Sequence, residues 1–234
     1  SLEGRAGEIL GIAGVAGNGQ SELAEVITGL RPCTGVITVN DEDIANEPPI
    51  AAISRGVAHV PEDRTRVGSA PNMTITENTI MKTYRKDPVS NGWSINFTTA
   101  RDIARGLKKR YDILAPTVQT LARKLSGGNL QKVILAREIT TQPRLMVAVQ
   151  PTRGLDVGAI ESIQELLLKQ REEGTAVLLV SEELEELLAL SDRIAVIYDG
   201  EIMGIVPAED ASVDEIGLMM TGHKQEKTQD LSTL

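Results

Sequence analysis

Glu8-Ile9-Leu10-Gly11-Ile12-Ala13 runs straight into a turn holding Gly14, Gly17 and Gly19, and Leu23, Val26, Ile27 and Leu30 follow at i, i+3, i+4 and i+7. A strand-length apolar run, a glycine-rich turn and an amphipathic helix in that order form a βα unit. The unit recurs. Val57-Ala58-His59-Val60, Leu145-Met146-Val147-Ala148-Val149, Ala176-Val177-Leu178-Leu179-Val180 and Ile194-Ala195-Val196-Ile197-Tyr198 are further short apolar runs. Strands apolar along their whole length suit a parallel sheet covered on both faces. The predicted fold is therefore α/β, with a mostly parallel sheet and flanking helices. Ile202 to Val206 reads as a closing hairpin strand, and Val36 to Val39 as a strand before the turn at Asn40-Asp41. A helix over 159–173, with Ile160, Ile163, Leu166 and Leu167 inward, stops at Gly174.

Between Met73 and Leu125 the pattern changes to helical. Thr76-Glu77-Asn78 opens a helix, a polar connector with Pro88, Asn91 and Gly92 interrupts it, and 100–111 reads as a basic amphipathic helix. Its Arg101, Arg105, Lys108, Lys109 and Arg110 read as a solvated face rather than as a site for an anionic partner. The expected divisions are 1–72 and 129–221 for the two parts of the sheet-bearing unit, 73–128 for a helical insert, and a polar, frayed tail over 222–234. Net charge is −9, which argues against a nucleic-acid binder. The single Cys33 excludes an internal disulfide and fits a reducing compartment. No run reaches the roughly 20 apolar residues of a membrane span, and the chain reads as soluble.

The glycine turn matches the phosphate-cradling pattern G-x-x-x-x-G-K-[ST] at Gly14, Gly19 and Ser21, with Gln20 in the lysine's place. Alone, it could equally be plain βα packing. A second motif is more specific: Leu125-Ser126-Gly127-Gly128-Asn129-Leu130-Gln131-Lys132 opens a helix with two side-chain-free residues. Backbone N–H groups at a helix N-terminus favour phosphate, and glycine lets a ligand approach closely. A serine cap before a flexible glycine pair is the plainer reading of Ser-Gly-Gly by itself. Downstream stands Gln150-Pro151-Thr152-Arg153-Gly154-Leu155-Asp156.

Together these motifs resemble the ATPase domains of ABC transporters over essentially the whole chain. Within them they resemble most the C-terminal, degenerate half of tandem sugar and nucleoside importer ATPase subunits. The resemblance implies a P-loop NTPase fold of ABC type binding ATP and Mg²⁺. It assigns Gly14, Gly17, Asn18, Gly19, Gln20, Ser21 and Glu22 to the Walker A loop, with the Ser21 hydroxyl a weak Mg²⁺ ligand. Glu62 stands at the Q-loop position, where a surface acidic turn is the plainer alternative. Ser126, Gly127 and Gly128 form the signature, which acts in trans on a partner's site.

The resemblance also exposes what is missing. Walker B ends in Asp-Glu in active members; here the positions are Val149 and Gln150. The switch histidine is replaced by Glu182, expected as an acid in a helix's first turn with Ser181 as N-cap. Family members stack adenine on an aromatic upstream of the loop, and none precedes Gln20. His59 reads as a packed histidine. The implied partners are a second ATPase half, expected upstream in the same polypeptide, and membrane-spanning permease subunits. An extracytoplasmic solute-binding protein is an indirect partner. The implied place is the cytoplasmic face of the membrane, peripherally. Ser1-Leu2 reads as an expression scar, with the chain opening almost on its first functional loop. A soluble ABC-type ATPase acting on ribosomes or DNA, and an autonomous active ATPase, are the competing readings.

Overall fold

The computed structural model describes residues 1–224; of the expected polar tail, everything beyond Lys224 lies outside the described residues. In chain order the elements are β1 (Ile9–Ala13), α1 (Gln20–Ile27), β2 (Thr38–Val39), β3 (Glu42–Asp43), α2 (Pro49–Ser54), β4 (Val57–Val60), α3 (Ile75–Thr79) and α4 (Phe97–Arg110). After them come α5 (Gly127–Thr140), β5 (Leu145–Val149), α6 (Val157–Glu172), β6 (Ala176–Val180), α7 (Leu184–Leu190), β7 (Arg193–Tyr198), β8 (Glu201–Pro207) and α8 (Val213–Met220). A six-stranded sheet runs β4-β5-β6-β1-β7-β8. Its first five strands are parallel and β8 closes it antiparallel.

The parallel strands are apolar throughout because both faces are covered. Ile9 and Ala13 pack with Val133, Ile134, Ile163 and Leu167 of α5 and α6. Leu10 and Ile12 face the other way, onto Ala24 of α1. Gly11 permits a close crossing: a Cβ there would lie 2.5 Å from the Ser191 hydroxyl and 3.0 Å from Leu187 of α7. The segment between the neighbouring strands β4 and β5 leaves the sheet to build α3, α4 and a small cluster of Ile80, Val89 and Ala100.

Local chemistry sets the helix ends. Thr74 and Glu77 form a reciprocal capping box, so α3 starts at Ile75, one residue before the Thr76 of the sequence reading. Asp156 caps α6, its carboxylate accepting from the Ala159 N–H at 3.0 Å. Some expectations shift. α1 ends at Ile27, so Leu30 lies outside it and is exposed. The strand expected from Val36 is only Thr38–Val39, with Val36 exposed. Along α6 the buried positions are Ala159, Ile163, Leu167 and Gln170, while Ile160 and Leu166 are half-buried.

Candidate functional site

The carboxyl ends of β4, β5, β6 and β1 lie side by side. This edge of the sheet therefore gathers Glu62, Gln150, Glu182 and the loop 14–19.

The loop turns on glycine. Gly17 has φ 87° and Gly19 φ 111°, both left-handed, and Gly19 is the residue from which α1 departs. A Cβ on Gly14 would lie 2.5 Å from Gln20 Nε2 and 2.7 Å from the Ile197 carbonyl, so only glycine fits there. Asn18 fastens the loop to the β7–β8 turn: its side-chain oxygen accepts from Asp199 N at 3.0 Å, and its carbonyl from Gly200 N at 2.9 Å. Gln20 is 7 % exposed and its amide donates to the Val15 carbonyl at 3.0 Å. It folds into the loop instead of leaving it. The N–H groups of Gln20, Ser21 and Glu22, in the first turn of α1, have no intrahelical acceptor, and the Ser21 and Glu22 side chains are exposed. The loop can thus present donors to phosphate, but it offers no cation.

For Mg²⁺ the fit is worse. Val149, 5 % exposed, ends β5 opposite Val180 and carries no ligand atom. Gln150 is buried with φ 48°; its N–H donates to the Val180 carbonyl at 2.8 Å, and its Oε1 accepts from Glu182 N at 3.4 Å. Among the described residues no group of three or more His, Cys, Asp or Glu side chains could hold a metal. The Ser21 hydroxyl, the one ligand expected, is exposed in the first turn of α1.

Glu182 corrects the sequence reading. α7 begins at Leu184 with Glu183 at its N-cap, so Glu182 precedes the helix, and Glu185 and Glu186 are the first-turn acids. Ser181 caps no helix; its hydroxyl accepts from Glu183 N at 3.1 Å, a local turn. The reason is φ/ψ: Glu183 is extended, so the chain cannot enter the helix before it.

Two participants had escaped notice. Arg153 pairs with the exposed Glu62, and its carbonyl accepts from the Arg64 guanidinium, so the loop after β4 is tied to the loop after β5. Glu186 is 6 % exposed; one carboxylate oxygen accepts from the Thr152 hydroxyl at 2.7 Å and the other has no partner among the described residues. Both line a cavity of about 380 Å³ with Gln150 and Glu182. Arginine directly after Thr152 was visible in the sequence; its partner, ninety-one residues away in the chain, was not.

The signature residues have a different neighbourhood. Ser126 caps α5 and is exposed; its hydroxyl accepts from Asn129 N at 3.4 Å and from the Asn129 side-chain amide at 2.9 Å. Asn129 in turn accepts from Leu114 N at 2.6 Å. Gly127 is exposed, near Leu155 and Arg64. Gly128 is buried, and a Cβ there would lie 2.6 Å from the Ala159 Cβ. Its lack of a side chain is thus required by α5–α6 packing, which the sequence reading did not foresee. The neighbours of Gly14, Gly19 and Gln20 are Val15, Ile197 and Gly200; none is shared with the signature.

Behind the signature, α5 carries a buried ion cluster. Glu138, fully buried, pairs with Lys82 and with Arg137 Nε at 2.8 Å, and accepts from the His59 backbone N–H at 3.2 Å. Arg137 donates to the Gly68 carbonyl at 2.9 Å. His59 is the packed histidine expected. Burial pushes its imidazole down to about 4, with Lys82 and Arg137 adding to the fall and Glu138 opposing it. Between about 4 and the ordinary 6.5 the unfolded chain binds a proton that the folded chain refuses, so stability rises with pH across that window. The expected loss on acidification from pH 7 to 4 is on the order of 3 kcal/mol from this residue. Urea unfolding midpoints of the protein and of His59→Gln, taken across that range, check it: the variant's profile should be flatter, and parallel profiles contradict the assignment.

A parallel sheet entered through a glycine loop, with a signature-type helix beside it, defines an ATP-binding cassette. The ABC transporter family matches residues 1–153, and the chain belongs to that family. Relatives agree. The chain is 51 % identical over 221 residues to the glucose import ATP-binding protein TsgD13 of Haloferax volcanii, covering 93 % of this chain and 40 % of that protein. It is 48 % identical over 223 residues to the nucleoside import ATP-binding protein NupA of Lactococcus lactis, covering 95 % and 44 %. With the guanosine import ATP-binding protein NupO of Bacillus subtilis the identity is 47 % over 228 residues, covering 97 % and 45 %. The chain thus spans less than half the length of these relatives. In fold it is similar to the dimeric bacterial ABC transporter cassette MJ0796 (TM-score 0.75, 24 % identity, 88 % of each chain). A nucleotide-free ATP-binding cassette from an ABC transporter gives TM-score 0.72 at 22 % identity, over 94 % of this chain and 87 % of the other. Among the described residues no helix is long and apolar enough to cross a membrane.

Proposed function

We propose that this chain is one ATPase half of an importer for simple sugars or nucleosides, supplying its signature to a partner half while its own Walker site is silent. The observation that carries the reading is an asymmetry. Ser126 and Gly127 stand exposed on a capped helix end, whereas Gln20 is folded into its own phosphate loop beside an acid-free β5 terminus.

Ser126 and the N–H groups of Gly127 and Gly128 hold a terminal phosphate of ATP bound on the partner half, and orient it by hydrogen bonding at a helix N-terminus. Bound ATP and Mg²⁺ supply the differential affinity that favours the closed pair over the open one. On this chain's own side, Gln20, Ser21 and Glu22 offer backbone donors. Val149 cannot ligate a cation, and the Gln150 amide cannot take a proton from water. The partner half lies in the same polypeptide, as the relatives' more than twofold length supports. Permease subunits and, indirectly, an extracytoplasmic binding protein complete the assembly at the cytoplasmic face of the membrane. The names of the relatives, glucose, nucleoside and guanosine import proteins, support the solute class.

The test pairs this chain with a partner half whose own Walker lysine is removed, so any ATP turnover belongs here. The unmodified chain should give none. Gln20→Lys, Val149→Asp and Gln150→Glu singly should also give none, since each leaves another defect in place. All three together with Glu182→His should give measurable phosphate release. Robust turnover by the unmodified chain sinks the proposal.

A further inference from the structure

From Pro88 to Ala100 the sequence carries no charge, yet Trp93 at its centre is 97 % exposed. Nothing in the fold explains a bare indole there. Trp93 is held up deliberately: Ser90 and Ile95 bridge as a small hairpin, the Asn96 N–H donates to the Val89 carbonyl at 2.8 Å, and the Asn91 side chain accepts from the N–H groups of Trp93 and Ser94 at 3.1 Å each. Val89 and Ile95 turn inward against Ala100, leaving Trp93 at the tip. The chain has only five aromatic residues, and three of them are close together and exposed: Trp93 and Phe97 within this stretch and Tyr84 four residues before it.

Basic residues flank the uncharged tip along the chain. Arg85 lies over the Tyr84 ring at 5.2 Å, the Lys86 carbonyl accepts from Val89 N and Ser90 N at the hairpin base, and Arg101 and Arg105 follow about one and two turns into α4. Asp87 and Asp102 oppose them, Asp102 being paired with Arg105 at 2.5 Å. Residues 73–128 hold ten basic and four acidic side chains, a net of +6 in a chain of −9, so the remainder is −15. Such a separation orients the molecule, and screening over about 8 Å keeps the acidic body from cancelling a contact made at the tip.

We infer that the 84–101 hairpin is an interfacial anchor for an anionic lipid surface: Trp93, Tyr84 and Phe97 enter the headgroup layer while Arg85, Lys86 and Arg101 pair with lipid phosphates. Tryptophan and tyrosine partition to that layer because one end of each ring is apolar and the other hydrogen-bonds. A single-stranded nucleic acid would call for basic residues interleaved with the aromatic ones along a groove; here the basic residues stand on either side of an uncharged stretch that carries Trp93 and Phe97. The inference goes beyond the ATPase role and holds whichever half hydrolyses ATP.

Trp93 is the chain's only tryptophan, so its emission reports this site alone. With phosphatidylglycerol–phosphatidylcholine vesicles the 234-residue chain should sediment and its emission should shift to the blue; with pure phosphatidylcholine it should do neither, and salt should reverse both effects. Arg85→Glu with Lys86→Glu, both at exposed positions, should weaken vesicle binding by more than about 25-fold, at roughly fivefold per basic charge at a membrane surface. Unchanged emission with anionic vesicles overturns the inference, as does equal binding to neutral ones or an unaffected double variant. A single-stranded oligonucleotide that shifts Trp93 emission while anionic vesicles do not would assign the hairpin to nucleic acid instead.

Discussion

Glu138→Ala should destabilise the protein by about 3–5 kcal/mol, the range for breaking a buried ion pair by removing one partner. Glu138 is fully buried on α5 and, among the described residues, is the one acid paired with Lys82 and Arg137 and accepting from the His59 N–H. Its loss leaves two cations in a low-dielectric interior, and Arg137 is itself buried. The cluster also spans elements: Lys82 lies in the segment that leaves the sheet, His59 on β4, and Glu138 on the helix that Ser126 caps. Removing the carboxylate therefore loosens the signature helix from both. At about 2–4 °C per kcal/mol for a chain of this size, the melting temperature should fall by roughly 6–20 °C. Glu138→Ala combined with Lys82→Met should be more stable than Glu138→Ala alone, because one stranded cation is gone. Urea unfolding of the three proteins decides it. A single-variant loss below about 1 kcal/mol would contradict this, meaning that water reaches the cluster and solvates the stranded cations.

That cluster also marks where the sequence stops being informative. The strands were legible because the core has no alternative: five residues apolar without interruption, as in Leu145-Met146-Val147-Ala148-Val149, can only be buried on both faces. The start of α5 was legible because Ser126 is chemically a cap. Arg137-Glu138 was not, since an adjacent opposite-charge pair on a helix is ordinarily a solvated one. Only long-range packing against Lys82 and His59 buries it. Gly128 illustrates the same limit: two glycines in a row look alike on paper, and the distinction between one exposed and one pressed against Ala159 is made by α6. Gln20 was identified as a missing lysine, but the inward fold of its amide onto Val15 depends on loop geometry. Glu182 was misplaced by two residues because Ser-Glu-Glu offers three acceptable ways to begin a helix, and the extended backbone at Glu183 selects the last.

In the importer assembly proposed above, Ser126→Arg should lower ATP turnover at the partner's site by at least about 100-fold, the usual cost of removing one preorganised donor from a site of developing charge. Serine is small, exposed and at the helix end; arginine there puts a long side chain where the phosphate must enter. Ser126→Thr should retain most activity, because it keeps both hydroxyl and cap. Loss of the cap by itself costs about 1 kcal/mol, so Ser126→Arg should remain folded, as a thermal melt can establish. Gly128→Asp is a poorer probe, since the carboxylate would be driven into Ala159, 2.6 Å from the first added atom. A loss of activity there would mix packing with chemistry. Gln20→Ala is the informative contrast: it removes a side chain whose amide donates to this chain's own loop, at the Val15 carbonyl. Turnover should then change less than about threefold, within the range in which single contributions vary. Phosphate release measured side by side on Ser126→Arg, Ser126→Thr and Gln20→Ala tests the division of labour. If Gln20→Ala proves more damaging than Ser126→Arg, this half's own loop contributes to hydrolysis, and the signature is not its principal contribution.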